Sequence, residues 1–197
     1  MRSMETLTLV AAICLLASST ANRAAYPVAT ASDSLQWGSP SDGVQMSLSS
    51  LEPNDSTFQL ALRNVGDHDV TLNLGWMLAN GKVQLPNYIS LNLTDGKGKT
   101  RLFEFTDKKY SRRVAGRVDD YVVPLRVGSM YTLTLTLDQF SCQETHEFEM
   151  KLLPGENRLT AQFEGRGAKY ATLDMPGIKL MNFWLDKTES NRLTIER

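Results

Sequence analysis

Hydrophobic and polar residues alternate with a period of two along most of this chain. Phe58, Leu60 and Leu62 are separated by polar or small residues, and the run from Tyr131 to Leu137 alternates apolar residues with threonines. Because successive side chains of a β-strand point to opposite faces, each run presents one apolar face and one polar face. Such strands are typical of antiparallel sheets that pack against each other by their apolar faces.

The alternating runs predict about ten strands, separated by residues that favour turns. Asn80-Gly81 and Asp95-Gly96, for example, predict tight hairpin turns. The predicted strands lie near residues 44–50, 57–64, 69–78, 87–94, 99–106, 120–127, 130–138, 145–153, 158–164 and 190–196, with a further strand around 181–185. This pattern favours an immunoglobulin-like sandwich or a barrel. Between these we expect an all-β fold, an immunoglobulin-like antiparallel β-sandwich, in one domain over residues 35–197. Two halves that meet near residues 107–120 are the alternative.

Residues 1–21 have the pattern of a removable signal peptide. Arg2 provides a positive start, residues 7–17 are almost entirely apolar, and small residues precede a cut before Asn22. The apolar stretch of about 11 residues is too short for a membrane span, which needs about 20. We therefore expect a secreted or periplasmic protein with a flexible linker at 22–34 and no transmembrane segment in the mature chain. A first buried strand or helix is the alternative for the N-terminal stretch.

Composition narrows the classes of function. The 21 Lys and Arg residues nearly balance the 22 Asp and Glu residues, and the net charge of −1 makes nucleic acid an unexpected partner. Two His and two Cys residues argue against a metal cluster. Removal of the signal peptide would leave Cys142 alone, without a disulfide partner in the chain and without neighbouring cations to activate its thiol.

Few side chains are candidates for catalysis or metal binding. His68 follows Asp67, but neighbouring side chains in a turn are expected to point apart, and the pair is interpreted as an exposed hairpin tip. His146 is assigned to the polar face of a predicted strand. The spacing of a calcium loop is absent, so four acidic residues are interpreted as solvated turn carboxylates: Asp67, Asp69, Asp119 and Asp120. Since no nucleophile motif is present either, the sequence predicts no enzyme, no metal and no cofactor.

Residues 107–120 are the most distinctive predicted surface feature. Tyr and Arg are frequent at contact hot spots, and loops at the end of a sandwich often bind partners. The candidate partner-binding residues of this loop are Lys108, Lys109, Tyr110, Arg112, Arg113 and Arg117. An ordinary solvated connection is the alternative. By contrast, the tryptophans are assigned to the core because each lies next to apolar or strand-like residues: Trp37, Trp76 and Trp184.

Three segments resemble motifs of bacterial secreted immunoglobulin-like β-sandwich domain proteins. The sequence FQLALRNVG at 58–66 is similar to their strand–turn motif, and LPGENRL at 153–159 is similar to their hairpin. Trp184 with SNRLTI at 190–195 resembles their closing strand. The resemblance implies an immunoglobulin-like fold and a bacterial exported setting, and it transfers no functional residue. A similar layout occurs in small proteinase inhibitors with an immunoglobulin-like sandwich, although no inhibitory loop matches residue by residue.

These observations favour an exported, non-catalytic module that binds a protein or another envelope or extracellular component. A proteinase inhibitor of the immunoglobulin-like type is the alternative, since it requires only a rigid exposed loop. A hydrolase ranks third, because His68 or His146 would have to act with carboxylates that are distant in the sequence.

Overall fold

The described part of the chain consists mainly of antiparallel β-strands and their connections. The computed structural model describes residues 35–51, 56–79, 81–106, 117–169, 174–175, 178–179 and 181–197. The strands are β1 (Val44–Ser50), β2 (Thr57–Asn64), β3 (Val70–Leu78), β4 (Val83–Leu85), β5 (Ile89–Thr94), β6 (Thr100–Phe105), β7 (Asp119–Leu125), β8 (Met130–Thr136), β9 (Phe140–Ser141), β10 (Glu156–Glu164), β11 (Asp174–Met175), β12 (Ile178–Lys179), β13 (Lys187–Glu189) and β14 (Leu193–Glu196). A 3-10 turn, Leu137–Gln139, separates β8 from β9. The all-β prediction is confirmed, and no helix in the described ranges is long and apolar enough to cross a membrane.

The strands form three main sheets and one small one. Sheet A has the order β1-β2-β8, and sheet B has the order β4-β3-β7. Sheet C has the order β13-β10-β5-β6-β9, with β14 also paired to β10, while β11 and β12 form a two-stranded sheet. All of these pairs are antiparallel. Sheet A therefore has β1 at one edge and β8 at the other.

Residues from all three main sheets form one hydrophobic core. Phe58 of β2, Leu72 of β3 and Phe163 of β10 are each 0% exposed and belong to the same buried cluster. Burial of one such side chain contributes about 1.5–3 kcal/mol. Because Cys142 is a free thiol, this burial is the main source of stability for the unit Ser32–Arg197.

The predicted strand over residues 145–153 is wrong. Paired backbone hydrogen bonds of 2.8 and 3.0 Å between Cys142 and Glu147 close a tight turn. Within this turn His146 has a positive φ of 54°, so it does not lie on the polar face of a strand. Phe148 is 73% exposed, although the alternation would have placed it on the apolar face.

The other differences concern the bounds of strands and which strands are present. β1 and β2 have the predicted bounds, whereas β4 and β9 are short strands that the alternation did not indicate. The predicted strand 190–196 is too long, because β14 begins only at Leu193. Within 181–185, Phe183 forms an isolated bridge with Thr71 and no continuous strand. The Asp95-Gly96 hairpin is confirmed between β5 and β6, while Asn80 lies outside the described residues.

The tryptophans occupy two kinds of environment. Trp184 is 1% exposed and stacks on Phe163 with 5.4 Å between ring centroids, so its assignment to the core is confirmed. Trp37 and Trp76 are only partly buried. Each carries a cation over its ring, Arg63 at 4.0 Å from the centroid of Trp37 and Lys169 at 5.4 Å from that of Trp76.

Candidate functional site

Most of the predicted partner-binding loop lies outside the described residues. This applies to Lys108, Lys109, Tyr110, Arg112 and Arg113. Arg117 is described, and its Nε lies 2.6 Å from the carboxylate of Asp119, with the arginine side chain 72% exposed. An ion pair this exposed contributes little to stability. The role of the loop stays a prediction.

His68 and Asp67 contact each other, so the expectation that their side chains point apart is wrong. Nδ1 of His68 lies 2.7 Å from Oδ1 of Asp67, and both side chains are exposed. The hydrogen bond with His68 lowers the pKa of the Asp67 carboxyl. The pair lies between β2 and β3, which belong to different sheets, so it is exposed but is not the tip of a hairpin.

Asp120 is a buried structural carboxylate and not a solvated one. It is 4% exposed, and its Oδ1 accepts hydrogen bonds from Nδ2 of Asn73 at 3.0 Å and from the backbone N–H of Lys169 at 2.9 Å. These bonds tie the segment after β10 to β3 and β7. No three His, Cys, Asp or Glu side chains in the described ranges are arranged to hold a metal ion.

The β1 edge of sheet A is closed by hydrogen bonds. Val44 and Ser41 exchange both backbone hydrogen bonds, at 2.8 and 2.9 Å. Asn191 uses its side-chain amide as a neighbouring strand would use its backbone. Its Oδ1 accepts from the N–H of Leu48 at 2.7 Å, and its Nδ2 donates to the C=O of Leu48 at 3.0 Å. Pairing of another strand with this edge would require these bonds to break.

Hydrogen bonds at the two ends of the β2–β8 ladder show which backbone groups of β8 face outward. The N–H of Asn64 donates to the C=O of Ser129 at 3.0 Å, and the N–H of Leu137 donates to the C=O of Ser56 at 3.1 Å. The register between these ends is continuous, and hydrogen-bonded pairs alternate along an antiparallel ladder. The residues bonded to β2 are therefore Tyr131, Leu133 and Leu135. Those whose N–H and C=O point away from β2 are Met130, Thr132, Thr134 and Thr136.

Thr132 and Thr134 leave the middle of the edge of β8 open. The N–H of Thr136 donates to Oε1 of Gln139 at 2.9 Å, which closes one end. Across the part of the chain that the structure describes, no hydrogen bond reaches the outward N–H or C=O of Thr132 or Thr134. Both residues are exposed. We call these unpaired groups of Thr132 and Thr134 the open edge.

A groove of about 270 Å³ runs along the open edge. Its lining includes every residue from 131 to 135 of β8 and none from β2. Because consecutive side chains of a strand point to opposite faces, a groove that all of them touch lies along the edge of β8 and not on one face. The rest of the lining consists of Gln84, Pro86, Phe105, Tyr121 and Gln139. We call this feature the β8 groove.

The buried side of the β8 groove is uncharged and combines apolar side chains with tyrosine hydroxyls and a glutamine amide. Phe105 and Leu135 are 5% and 2% exposed. The hydroxyl of Tyr121 donates to Oε1 of Gln84 at 2.9 Å and lies 2.5 Å from the hydroxyl of Tyr131. Burial, together with the hydrogen bond to Tyr131, raises the pKa of Tyr121 above its usual value. The Tyr121 hydroxyl is therefore neutral and already hydrogen-bonded.

A proline lies at the outer edge of β7, the side away from β3. Thr71 of β3 donates its N–H to Asn182 at 2.7 Å and accepts at its C=O from Trp184 at 3.0 Å, so neither group bonds Pro124, which lies opposite on β7. The backbone nitrogen of Pro124 therefore faces away from β3, where it has no hydrogen to donate to a further strand. The remaining edge of sheet B is β4, a strand of three residues.

Alternation alone did not reveal the open edge, because a period of two describes the faces of a strand and not its place in a sheet. Pro124, inside the predicted strand 120–127, was a signal for an edge strand. The sequence MYTLTLT at 130–136 has no charge and no proline, which suits a paired central strand as well as an open edge, so it gives no local signal of the open edge.

Comparison with protein-family models, with curated proteins and with solved structures finds no significant match for this chain. The functional conclusion therefore depends on the geometry of the edges and on the sequence.

Proposed function

We propose that this protein is an exported, non-catalytic module of the immunoglobulin-like β-sandwich type that binds a protein partner in the cell envelope or outside the cell. The observation that carries the proposal is the open edge beside the β8 groove. Unpaired strand edges are templates for pairing with another chain, and proteins normally cover, shorten or block them. Here hydrogen bonds cover the edge of β1, and Pro124 blocks the edge of β7. Neither kind of protection is present at Thr132 and Thr134 of β8 among the described residues.

The titratable groups support a non-catalytic role. His68 is paired with an exposed carboxylate, and Asp120 is engaged by Asn73 and by a backbone amide. Neither arrangement combines a nucleophile with an oriented base. The contribution of three sheets to one core supports a sandwich arrangement.

Export is supported by the pattern of residues 1–21. The mature protein is expected to begin near Asn22. Intact-mass measurement of the protein from its natural source tests this directly. A soluble product that keeps residues 1–21 would contradict export.

Site-directed photo-crosslinking tests where the partner binds. A photoreactive residue at Thr132, on the open edge, is expected to capture a specific protein from the envelope or secreted fraction. The same residue at Arg158, which is exposed on the outer face of sheet C, serves as the control and should capture none. Equal capture at both positions would contradict the proposal. A parallel assay in which the protein inhibits a protease tightly would favour the inhibitor function instead.

The loop at residues 107–120 is tested separately. If its cations contact the partner, the double change Arg112→Glu and Arg113→Glu should weaken retention, most strongly at low salt, where screening is least. Retention that is insensitive to the double change would remove the loop from the binding surface and leave the open edge.

A further inference from the structure

We infer that the partner contributes an extended segment, which adds to β8 as a further strand of sheet A and carries uncharged side chains on its inner face. This inference rests on the proposed function, because it specifies how a protein partner occupies the open edge. It excludes a folded surface that docks on the faces of the sheets.

The spacing of the unpaired groups points to a polypeptide backbone as the ligand. Thr132 and Thr134 are two residues apart on one strand, so their outward groups repeat about every 6.8 Å. Each offers one N–H donor and one C=O acceptor at that repeat. A second extended chain presents the complementary groups at the same repeat, which is the basis of recognition by strand addition.

The β8 groove determines which side chains the added strand carries. Those on the inner side would lie beside Leu135 and against Phe105 and Tyr121, which are almost completely buried. The hydroxyl of Tyr121 is already engaged by Gln84 and Tyr131, and a charged side chain placed here would have no counter-ion from these residues. Side chains on the outer side would lie beside the exposed Thr132 and Thr134. The inner face of the added strand is therefore uncharged, whereas its outer face accepts polar side chains.

The dimensions of the site favour a short segment of another protein. The groove volume of about 270 Å³ is below the range of about 300–1,000 Å³ that is usual for small-molecule sites, and it accommodates a few side chains. Gln139 closes the edge at Thr136, so pairing is confined to residues 130–134.

A synthetic peptide with the sequence of β2, TFQLALRN, is a suitable probe. This segment already pairs antiparallel with β8 and alternates apolar with polar or small residues. The control peptide has the same composition with its apolar residues grouped together, which removes the alternation. Each peptide, with both termini blocked, is added to the isotope-labelled mature protein, which is expected to begin near Asn22. The exchange of backbone amide hydrogens is then followed residue by residue.

The alternating peptide is expected to slow exchange at Thr132 and Thr134 by about tenfold or more, while the grouped peptide leaves both unchanged. Thr134→Pro, which deletes one outward N–H, should weaken binding about tenfold. Thr134→Ala keeps that N–H and should bind nearly as the parent does. Thr132→Pro provides a second test of the same kind should Thr134→Pro not fold.

The possible failures of the two proposals are distinguishable. Crosslinking at Thr132 without peptide protection of Thr132 and Thr134 would overturn strand addition and leave a partner that docks by another surface. Absence of both results would overturn the proposed function as well. A concentration-dependent dimer that Thr134→Pro abolishes would show that the occupant is a second copy of this chain, and would also overturn the inference.

Discussion

The two edges of sheet A differ in how their backbone groups are used. At β1, Asn191 satisfies both backbone groups of Leu48, and the C=O of Met46 accepts a hydrogen bond from the N–H of Gly38 at 2.9 Å. At β8, the outward groups of Thr132 and Thr134 have no partner within the described ranges. The two strands have the same length and flank the same central strand, β2.

This difference shows that protection of edges in this protein is local and selective. An unguarded edge is a hazard for aggregation, and cover, shortening or proline are the usual remedies. The chain uses cover at β1 and proline at β7. No such device lies at Thr132 and Thr134 among the described residues, beside an uncharged groove, and this is the reason for proposing a binding role for β8.

The largest effect is expected from a charge on the inner face of β8. Leu135 is 2% exposed, so Leu135→Asp should lower the free energy of unfolding by at least about 3 kcal/mol, which urea denaturation measures. Thr134→Asp places the same charge on an exposed residue and should change stability by about 1 kcal/mol or less. Equal losses for both variants would contradict the assignment of the two faces of β8.

A pair of proline variants tests the phase of the β8 ladder. The N–H of Leu133 lies in the ladder with β2, whereas that of Thr134 points outward. Leu133→Pro should therefore destabilise the protein by about 2 kcal/mol or more beyond Thr134→Pro. Thermal unfolding of the two variants measures the difference. A greater loss for Thr134→Pro would show that the ladder has the opposite phase.

Removal of the cover from β1 should have an intermediate effect. Asn191→Ala deletes both hydrogen bonds to Leu48, with an expected loss of about 1–3 kcal/mol in the free energy of unfolding and a new tendency to self-associate. Asn182→Ala is the matched control. Nδ2 of Asn182 donates to the backbone C=O of Asp69 at 3.1 Å, and this hydrogen bond does not involve β1. Denaturant titration together with light scattering measures both properties. If both variants behave alike, the amide of Asn191 does not act as an edge cover.

The smallest change in stability is expected at β7. Pro124→Thr restores an outward N–H, and the free energy of unfolding should change by no more than about 1 kcal/mol. Self-association at high concentration should nevertheless increase, as sedimentation velocity would show. Pro154→Thr, at an exposed turn, is the control. An unchanged sedimentation profile for Pro124→Thr would argue against the guarding role of this proline.

The alternation of apolar and polar residues predicted strands well where all apolar residues of the strand are buried. β1 and β2 have the predicted bounds because their apolar positions all reach the core. The prediction failed at 145–153, where the chain forms a turn closed by Cys142 and Glu147 just before the exposed Phe148, instead of a strand. A turn that includes a residue with positive φ, here His146, leaves no trace in the hydrophobic pattern.

The alternation of apolar and polar residues could not predict the open edge, for a different reason. Whether a strand lies at an edge depends on long-range pairing, and β7 and β8, although consecutive, pair with different strands. The closing of β1 depends on Asn191, which is distant from Leu48 in sequence. Such contacts are specified by the whole fold and by no local motif.

Amide hydrogen exchange of the free protein, followed residue by residue, tests the central claim most directly. The amides of Leu133 and Leu135, bonded to β2, should exchange slowly, and so should the amide of Leu48, bonded to Asn191. Those of Thr132 and Thr134 should exchange about tenfold faster or more, because no hydrogen bond within the described residues protects them. Protection of Thr132 and Thr134 equal to that of Leu48 would contradict the account, since it would mean that the edge of β8 is closed.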